Sequence, residues 1–215
     1  MTTFVSKKNH SDKEISIFIA VLTLLNQGNQ LHELTMASIA EKANIGKSTA
    51  YEYFTSKEQL LKEAIEYFIV QEYKSLYSIM QPIDDLKRVV NVVMDYLEKM
   101  ICGRLSNLLV MFVNLDYSQI TDYFLSDPTL IIAIKENMLK QVGTLHQLGL
   151  KQQLISSTLT TNEVHYILNG FFSAFINEAR YTFMINQSLD EKDNYDEKIK
   201  RLKETTLQLM LKALQ

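Results

Sequence analysis

Apolar residues recur at steps of three and four along almost the whole chain, and no stretch keeps the period-two alternation of a half-buried strand for long. That spacing confines the chain to an all-α fold of about nine helices. Only two prolines and six glycines are present, whereas an all-β sandwich or barrel spends such residues on its turns. The start and stop signals agree. Residues 12–27 carry Ile15, Phe18, Ile19, Leu22 and Leu25 and meet Gly28 as a stop. Thr35 opens a short segment with Met36, Ile39, Ala40 and Ala43, and Asn44 follows, a residue that tolerates the left-handed backbone of a tight turn. A second short segment runs from about Gly46 to Phe54.

Longer helices come next. Ser56 and Gln59 form a capping box for a helix that reaches about Met80, where Pro82 ends it. Helices over roughly 84–101 and 104–116 follow. Asp127-Pro128 starts another, expected to reach Leu148 and stop at Gly149. Thr160 and Glu163 cap a helix running to about Ile185, and the charged stretch from Asp190 leads into a last helix. The change from short to long helices suggests a boundary near residues 55–65, with the long helix that begins at Ser56 belonging to both parts and joining them: a first domain over 12–72 and a second over 73–215.

Composition excludes several function classes. With 47% hydrophobic and 22% charged residues the chain is neither disordered nor low in complexity. A single cysteine, Cys102, leaves no disulfide framework and no Cys-rich zinc site, and suits a reducing cytoplasm. The N-terminal MTTFVSKKNHSDKE does not read as a secretory signal, and the apolar runs elsewhere are broken well short of the ~18 residues that span a bilayer, so no membrane partner is expected. The four histidines (His10, His32, His146, His165) lack metal-site spacing, and no phosphate-binding loop or nucleophile elbow appears. No enzyme activity, cofactor or metal is expected. His146 reads as a helix-end cation, His165 as a satisfied interior group, and Cys102, beside Met100, Ile101 and Leu105, as inert core rather than a redox sensor.

Function concentrates in residues 35–60, TMASIAEKANIGKSTAYEYFTSKEQL. Two short helices joined by a tight turn are the geometry of a helix-turn-helix, whose second helix enters the DNA major groove. Ile39, Ala40, Ala43, Ile45 and Phe54 suit its interior, which leaves Lys47, Ser48, Tyr51 and Glu52 facing outward. Small residues at Gly46 and Ser48 let the start of the second helix approach a phosphate, and Lys57 can hold another. The same features also fit a compact helical corner with a solvated face.

This stretch resembles the DNA-binding signature of the tetracycline-repressor (TetR) family. Thr35, Ile39-Ala40, Ala43, Ile45, Lys47, Thr49, Tyr51, Tyr53, Phe54, Lys57, Glu58 and Leu60 all fall in register with it. The resemblance implies that Thr49, Tyr51 and Tyr53 contact phosphate and sugar. It places Lys47 near a phosphate or base edge, Lys57 on the backbone, and Thr35 as a cap close to a phosphate. Beyond about residue 72 it implies only an all-helical, dimerising, ligand-binding body. Three positions depart from the pattern: Asn44 replaces a turn glycine, Gly46 a capping serine, and Ala50 a larger apolar residue. Residues 1–60 hold six lysines against six acids and no arginine, and the whole chain carries −3. Affinity for DNA then depends on dimer formation and local geometry more than on a broad positive field. Glu52 either accepts from a cytosine amine or faces solvent, the latter being favoured.

In the second domain, Tyr166, Gly170, Phe171, Ala174 and Phe175, with Leu202 and Leu209 of the last helix, resemble the family's dimer interface, the other reading being protomer core. Met94, Leu97, Met100, Met111, Phe112, Leu115 and Tyr117 are candidates to line a ligand cavity, although Met and Phe at such spacing are more often plain core. The resemblance thus implies a homodimeric repressor on a palindromic double-stranded operator, released by an unidentified small apolar effector. The competing reading is a helical binding protein that keeps the motif as scaffold and regulates through a protein partner.

Overall fold

A computed structural model describes residues 9–81, 83–103, 129–189 and 194–215, with eight α-helices and no strand among them. They are α1 (Asp12–Asn26), α2 (Met36–Lys42), α3 (Lys47–Tyr53), α4 (Lys57–Met80), α5 (Leu86–Cys102), α6 (Thr129–Lys151), α7 (Thr161–Leu189) and α8 (Tyr195–Ala213). A short 3-10 turn, Leu31–Glu33, precedes α2. The expected helix over 104–116 and the Asp127-Pro128 start lie outside the described residues. No described helix is long and apolar enough to cross a membrane. The described residues fall into two units, one ending at Ser75 and the other formed by Leu76–Gly103 and Ile131–Gln215.

The first unit is built from capped helices around one core. Ser11 caps α1 and Glu14 returns the bond, its Oε2 accepting from the Ser11 N–H at 2.8 Å and the Ser11 hydroxyl at 2.9 Å. The buried face of α1 is Ile17, Phe18, Val21, Leu22 and Leu25, while Ile19 is 47% exposed. The helix closes through Gly28, at φ +93°, with Gly28 N–H donating to Leu25 O and Asn29 N–H to Leu24 O. Phe18 lies centrally, its ring 5.6 Å from Phe54 and 5.5 Å from Tyr67. Leu34, Met36, Ile39, Ala40, Ala50, Leu60, Leu61, Ala64 and Ile65 complete the core. At the start of α4, Ser56 Oγ accepts from Gln59 N–H as the capping box requires. The glutamine oxygen, however, bonds to the N–H and hydroxyl of Thr55, one residue earlier than expected.

In the second unit Asp85 caps α5 by accepting from Arg88 N–H at 2.7 Å. The α5 face Leu86, Val89, Val90, Val93, Met94, Leu97 and Ile101 is buried, and α5 packs on α7 and α8. Contrary to the sequence expectation, α6 does not stop at Gly149. It continues to Lys151 and closes at Gln153, whose φ of 59° puts a non-glycine residue in the left-handed region. Gln153 N–H donates to Leu150 O and Leu154 N–H to Gly149 O, the paired bonds of a Schellman ending. Gly149 serves proximity instead: a Cβ there would lie 2.4 Å from Ile155 Cδ1 and Cγ1 and 3.1 Å from Leu86 Cδ2. Just beyond, the Gln152 side chain accepts from Leu86 N–H and donates to Asp84 O, tying the end of α6 to the start of α5. The Thr160–Glu163 box opens α7 as expected. Ser156 N–H donates to Leu214 O at 2.7 Å, fixing the end of α8.

Candidate nucleic-acid interface

The segment from Thr35 to Lys57 forms a helix-turn-helix by local chemistry. Thr35 and Ser38 cap α2 reciprocally: Ser38 N–H donates to Thr35 Oγ1, and Thr35 N–H to Ser38 Oγ, both at 3.1 Å. Asn44 holds φ 55°, and with Asn44 N–H on Glu41 O and Ile45 N–H on Ala40 O the chain reverses in another Schellman ending. Gly46 follows in an extended conformation as the N-cap of α3 and supplies no side-chain bond. The missing cap costs a few tenths of a kcal/mol relative to serine. Ala50 and Phe54 are fully buried, and Ala43 and Ile45 pack half-buried against the same core.

With its inner face so occupied, α3 turns Lys47, Ser48, Tyr51 and Glu52 outward. Tyr51 is 47% exposed, and the Lys47 ammonium sits 6.0 Å from the centre of its ring. At an exposed site such a contact is worth about 0.5–1 kcal/mol, which lines up the cation and the phenol on one surface. Thr49 and Tyr53 are half-buried on the flanks of this face, and Tyr53 packs against the core beside Phe54. Lys57 is half-buried and donates to the His32 carbonyl at 3.3 Å, which pins the first turn of α4 to the loop before α2. Thr35 is exposed at the start of α2. The arrangement is a rigid corner presenting a hydroxyl, a phenol, an ammonium and a carboxylate from one short helix, dimensions suited to a major groove.

The other candidate residues fall in the second unit. On α7, Tyr166 is 82% exposed, and Gly170 and Ala174 are also exposed, while Phe171 is half-buried. The same face continues through Tyr181, 64% exposed, and Met184. On α8, which packs along α7, Leu209 is exposed and Leu202 half-buried. Phe175, grouped with these on spacing alone, is buried within its own unit and belongs to the protomer core. Met94 and Leu97 are likewise buried, and Met100 is half-buried. Met111, Phe112, Leu115 and Tyr117 lie outside the described residues.

Three polar features escaped the sequence reading because their partners are distant in the chain. Lys203 of α8 reaches both Asp95 and Glu98 of α5. Burial alone would lower its pKa, but the two carboxylates outweigh that and hold it above its ordinary value. Cys102 is exposed rather than inert core, and its Sγ lies 3.2 Å from the Tyr195 hydroxyl. Burial and the neighbouring Cys102 and Glu98 push that phenol's pKa up. His146 is a buried interior group rather than an exposed residue at a helix end, with Nδ1 3.0 Å from Thr161 Oγ1. His165 is half-buried.

Comparison with known proteins agrees with this geometry. Residues 29–64 match the family model for bacterial regulatory proteins of the TetR family. No curated protein sequence matches the chain. Among solved structures, the fatty acid degradation regulator FadR of Bacillus halodurans superposes with a TM-score of 0.67 at 16% identity, over 93% of this chain and 97% of that one. FadR of Bacillus subtilis, solved in complex with stearoyl-CoA, gives 0.65 at 18% identity, over 94% and 99%. A TetR transcription regulator from Haloarcula marismortui gives 0.63 at 16% identity, over 95% and 97%. Identities this low establish the shared fold, and the match on residues 29–64 adds the helix-turn-helix itself. Residues 29–64 thus carry a helix-turn-helix similar to that of the TetR family, and the chain as a whole shares the fold of these regulators.

Proposed function

We propose that the chain is a homodimeric repressor acting in the cytoplasm, with residues 12–72 as its DNA-binding domain and 73–215 as its ligand-binding and dimerisation domain. The observation that carries this reading is the outward face of α3, where Lys47, Ser48, Tyr51 and Glu52 stand clear of the core that fixes the helix. Tyr51, Thr49 and Tyr53 would position the helix on phosphate and sugar, with Lys47 and Lys57 supplying charge. Thr35 caps the motif near the backbone, and Glu52 faces solvent.

The exposed apolar stripe of α7 with Leu209 of α8 supports a two-fold pairing of protomers. Such a dimer sets two recognition helices about one DNA turn apart, so the operator is palindromic. Release follows when an effector binds one conformation better than the other. The effector class we favour is a small apolar molecule, and the stearoyl-CoA bound by the Bacillus subtilis protein makes a long acyl chain the first to try.

Fluorescence anisotropy on duplex DNA from upstream of the chain's own gene, against scrambled duplex and at several salt concentrations, tests the reading. Specific, salt-sensitive binding that is lost in a Lys47→Ala/Tyr51→Ala double variant and reversed by stearoyl-CoA is the expected result. Binding unchanged in that variant would remove α3 as the recognition helix. Binding to neither duplex at low salt would favour regulation through a protein partner.

A further inference from the structure

His10 lies just ahead of α1 with its side chain only 9% exposed. Its ring is wedged edge-on between Phe18, 4.9 Å away, and Tyr67, 5.7 Å away. Those contacts fix the imidazole plane and leave Nδ1 buried with no hydrogen-bond partner. A buried polar nitrogen in that state costs about 1–3 kcal/mol, so its surroundings call for an explanation. One helical turn on, Glu14 Oε1 stands 3.7 Å from Nδ1, beyond hydrogen-bond distance. Glu14 is held there by its capping bonds, which use Oε2. From α4 comes Glu63, whose Oε1 accepts from Gln59 Nε2 at 2.9 Å. One donor atom from each of His10, Glu14 and Glu63 lies within 4.8 Å of the other two, and all three residues are half-buried or deeper.

We infer that His10, Glu14 and Glu63 form a site for a divalent transition-metal ion of the zinc class. One imidazole nitrogen with two carboxylate oxygens suits Zn²⁺, and more weakly Mn²⁺ or Fe²⁺, whereas Mg²⁺ and Ca²⁺ prefer oxygen alone. Zn–N and Zn–O bonds of about 2.0–2.2 Å put tetrahedral ligand atoms roughly 3.4 Å apart, so the observed 3.7 Å between His10 Nδ1 and Glu14 Oε1 asks for only a small contraction. The ligands come from two elements of the same unit, and the ion ties the start of α1 to α4. No spacing rule reveals such a set, because Glu63 joins it only through folding.

The test is metal uptake by the full chain. Zn²⁺ is titrated calorimetrically and by thermal melts, with Co²⁺ as a spectroscopic probe of ligand number and Mg²⁺ as control. We expect one Zn²⁺ per chain and a rise in melting temperature of about 5–10 °C at metal a hundredfold above Kd. Glu63→Gln and His10→Gln each abolish the uptake and the shift, while Cys102→Ser leaves both unchanged. His10→Gln also disturbs ring packing, so Glu63→Gln, which keeps the side-chain shape, is the decisive variant, and its melt in EDTA verifies folding. No uptake by the wild type, or uptake equal in the wild type and Glu63→Gln, overturns the inference. The outcome does not depend on DNA binding.

Discussion

Gly149→Ala places two opposing effects at one atom. Within the last turns of α6, alanine is a better helix former than glycine by about 0.8–1.0 kcal/mol. The new Cβ would nevertheless stand 2.4 Å from two carbons of Ile155 and 3.1 Å from Leu86 Cδ2. Ile155 is 5% exposed and Leu86 fully buried, so neither has open space to retreat into. Overpacking of this kind costs about 1–3 kcal/mol, and the net expectation is a destabilisation of roughly 1 kcal/mol. Ile155→Ala alone leaves a cavity and costs about 2–5 kcal/mol. In that background the added methyl group meets only Leu86 Cδ2, 3.1 Å away, which can give by a few tenths of an ångström into the vacated space, so the propensity gain is realised and Gly149→Ala becomes stabilising by up to about 1 kcal/mol. Urea denaturation of the four proteins, followed by helical circular dichroism, reads the change of sign directly. The same sign in both backgrounds would refute the claim that Ile155 is what keeps this position a glycine.

Three further outcomes are expected. In the proposed dimer, with Lys47 on phosphate, Lys47→Ala removes two phosphate contacts, so the slope of log K against log salt falls by about 1.8 in anisotropy titrations, and an unchanged slope would place Lys47 away from phosphate. Phe175→Ala costs about 3–5 kcal/mol in urea melts, whereas Tyr166→Ala changes protomer stability by less than about 0.5 kcal/mol yet raises the dissociation constant of the proposed dimer in sedimentation equilibrium. The backbone and hydroxyl of Thr160 hold the Glu163 carboxyl below its ordinary range. A group with a depressed folded-state pKa stabilises above its unfolded value and loses that contribution as pH falls through the folded one. The stability advantage of the wild type over Glu163→Gln is therefore present at neutral pH and vanishes in acid below the ordinary carboxylate range.

Much of the helix-turn-helix was legible because its determinants are local. Thr35 finds its partner three residues away, Asn44 needs only its own backbone freedom, and the spacing of Ile39, Ala40, Ala50 and Phe54 selects the inner face. Errors arose where a residue's role is set from a distance. Gly149 resembled a stop signal, but its lack of a side chain serves Ile155 and Leu86. Periodicity marked Phe175 as apolar without saying whether its own chain or another covers it. His146 lies near a helix end in sequence, yet Thr161 meets it in the interior. Lys203 reads as one more solvated lysine until α8 lies on α5.

The order in which contacts can form differs between the two units. In the first, α1 packs on α2 and α2 on α3, each partner close behind in the chain. Such low contact order favours rapid folding, and these segments leave the ribosome early. The second unit closes late. Asp95 and Glu98 wait for Lys203, Ser156 waits for Leu214, and α5 stays uncovered until α7 and α8 are made. During synthesis the apolar face Leu86, Val89, Val90, Val93 and Leu97 therefore lacks its full native cover until α7 and then α8 have emerged. That interval makes α5 the segment on which a chaperone would act, and it makes chains truncated within α8 prone to aggregate while their first unit still folds.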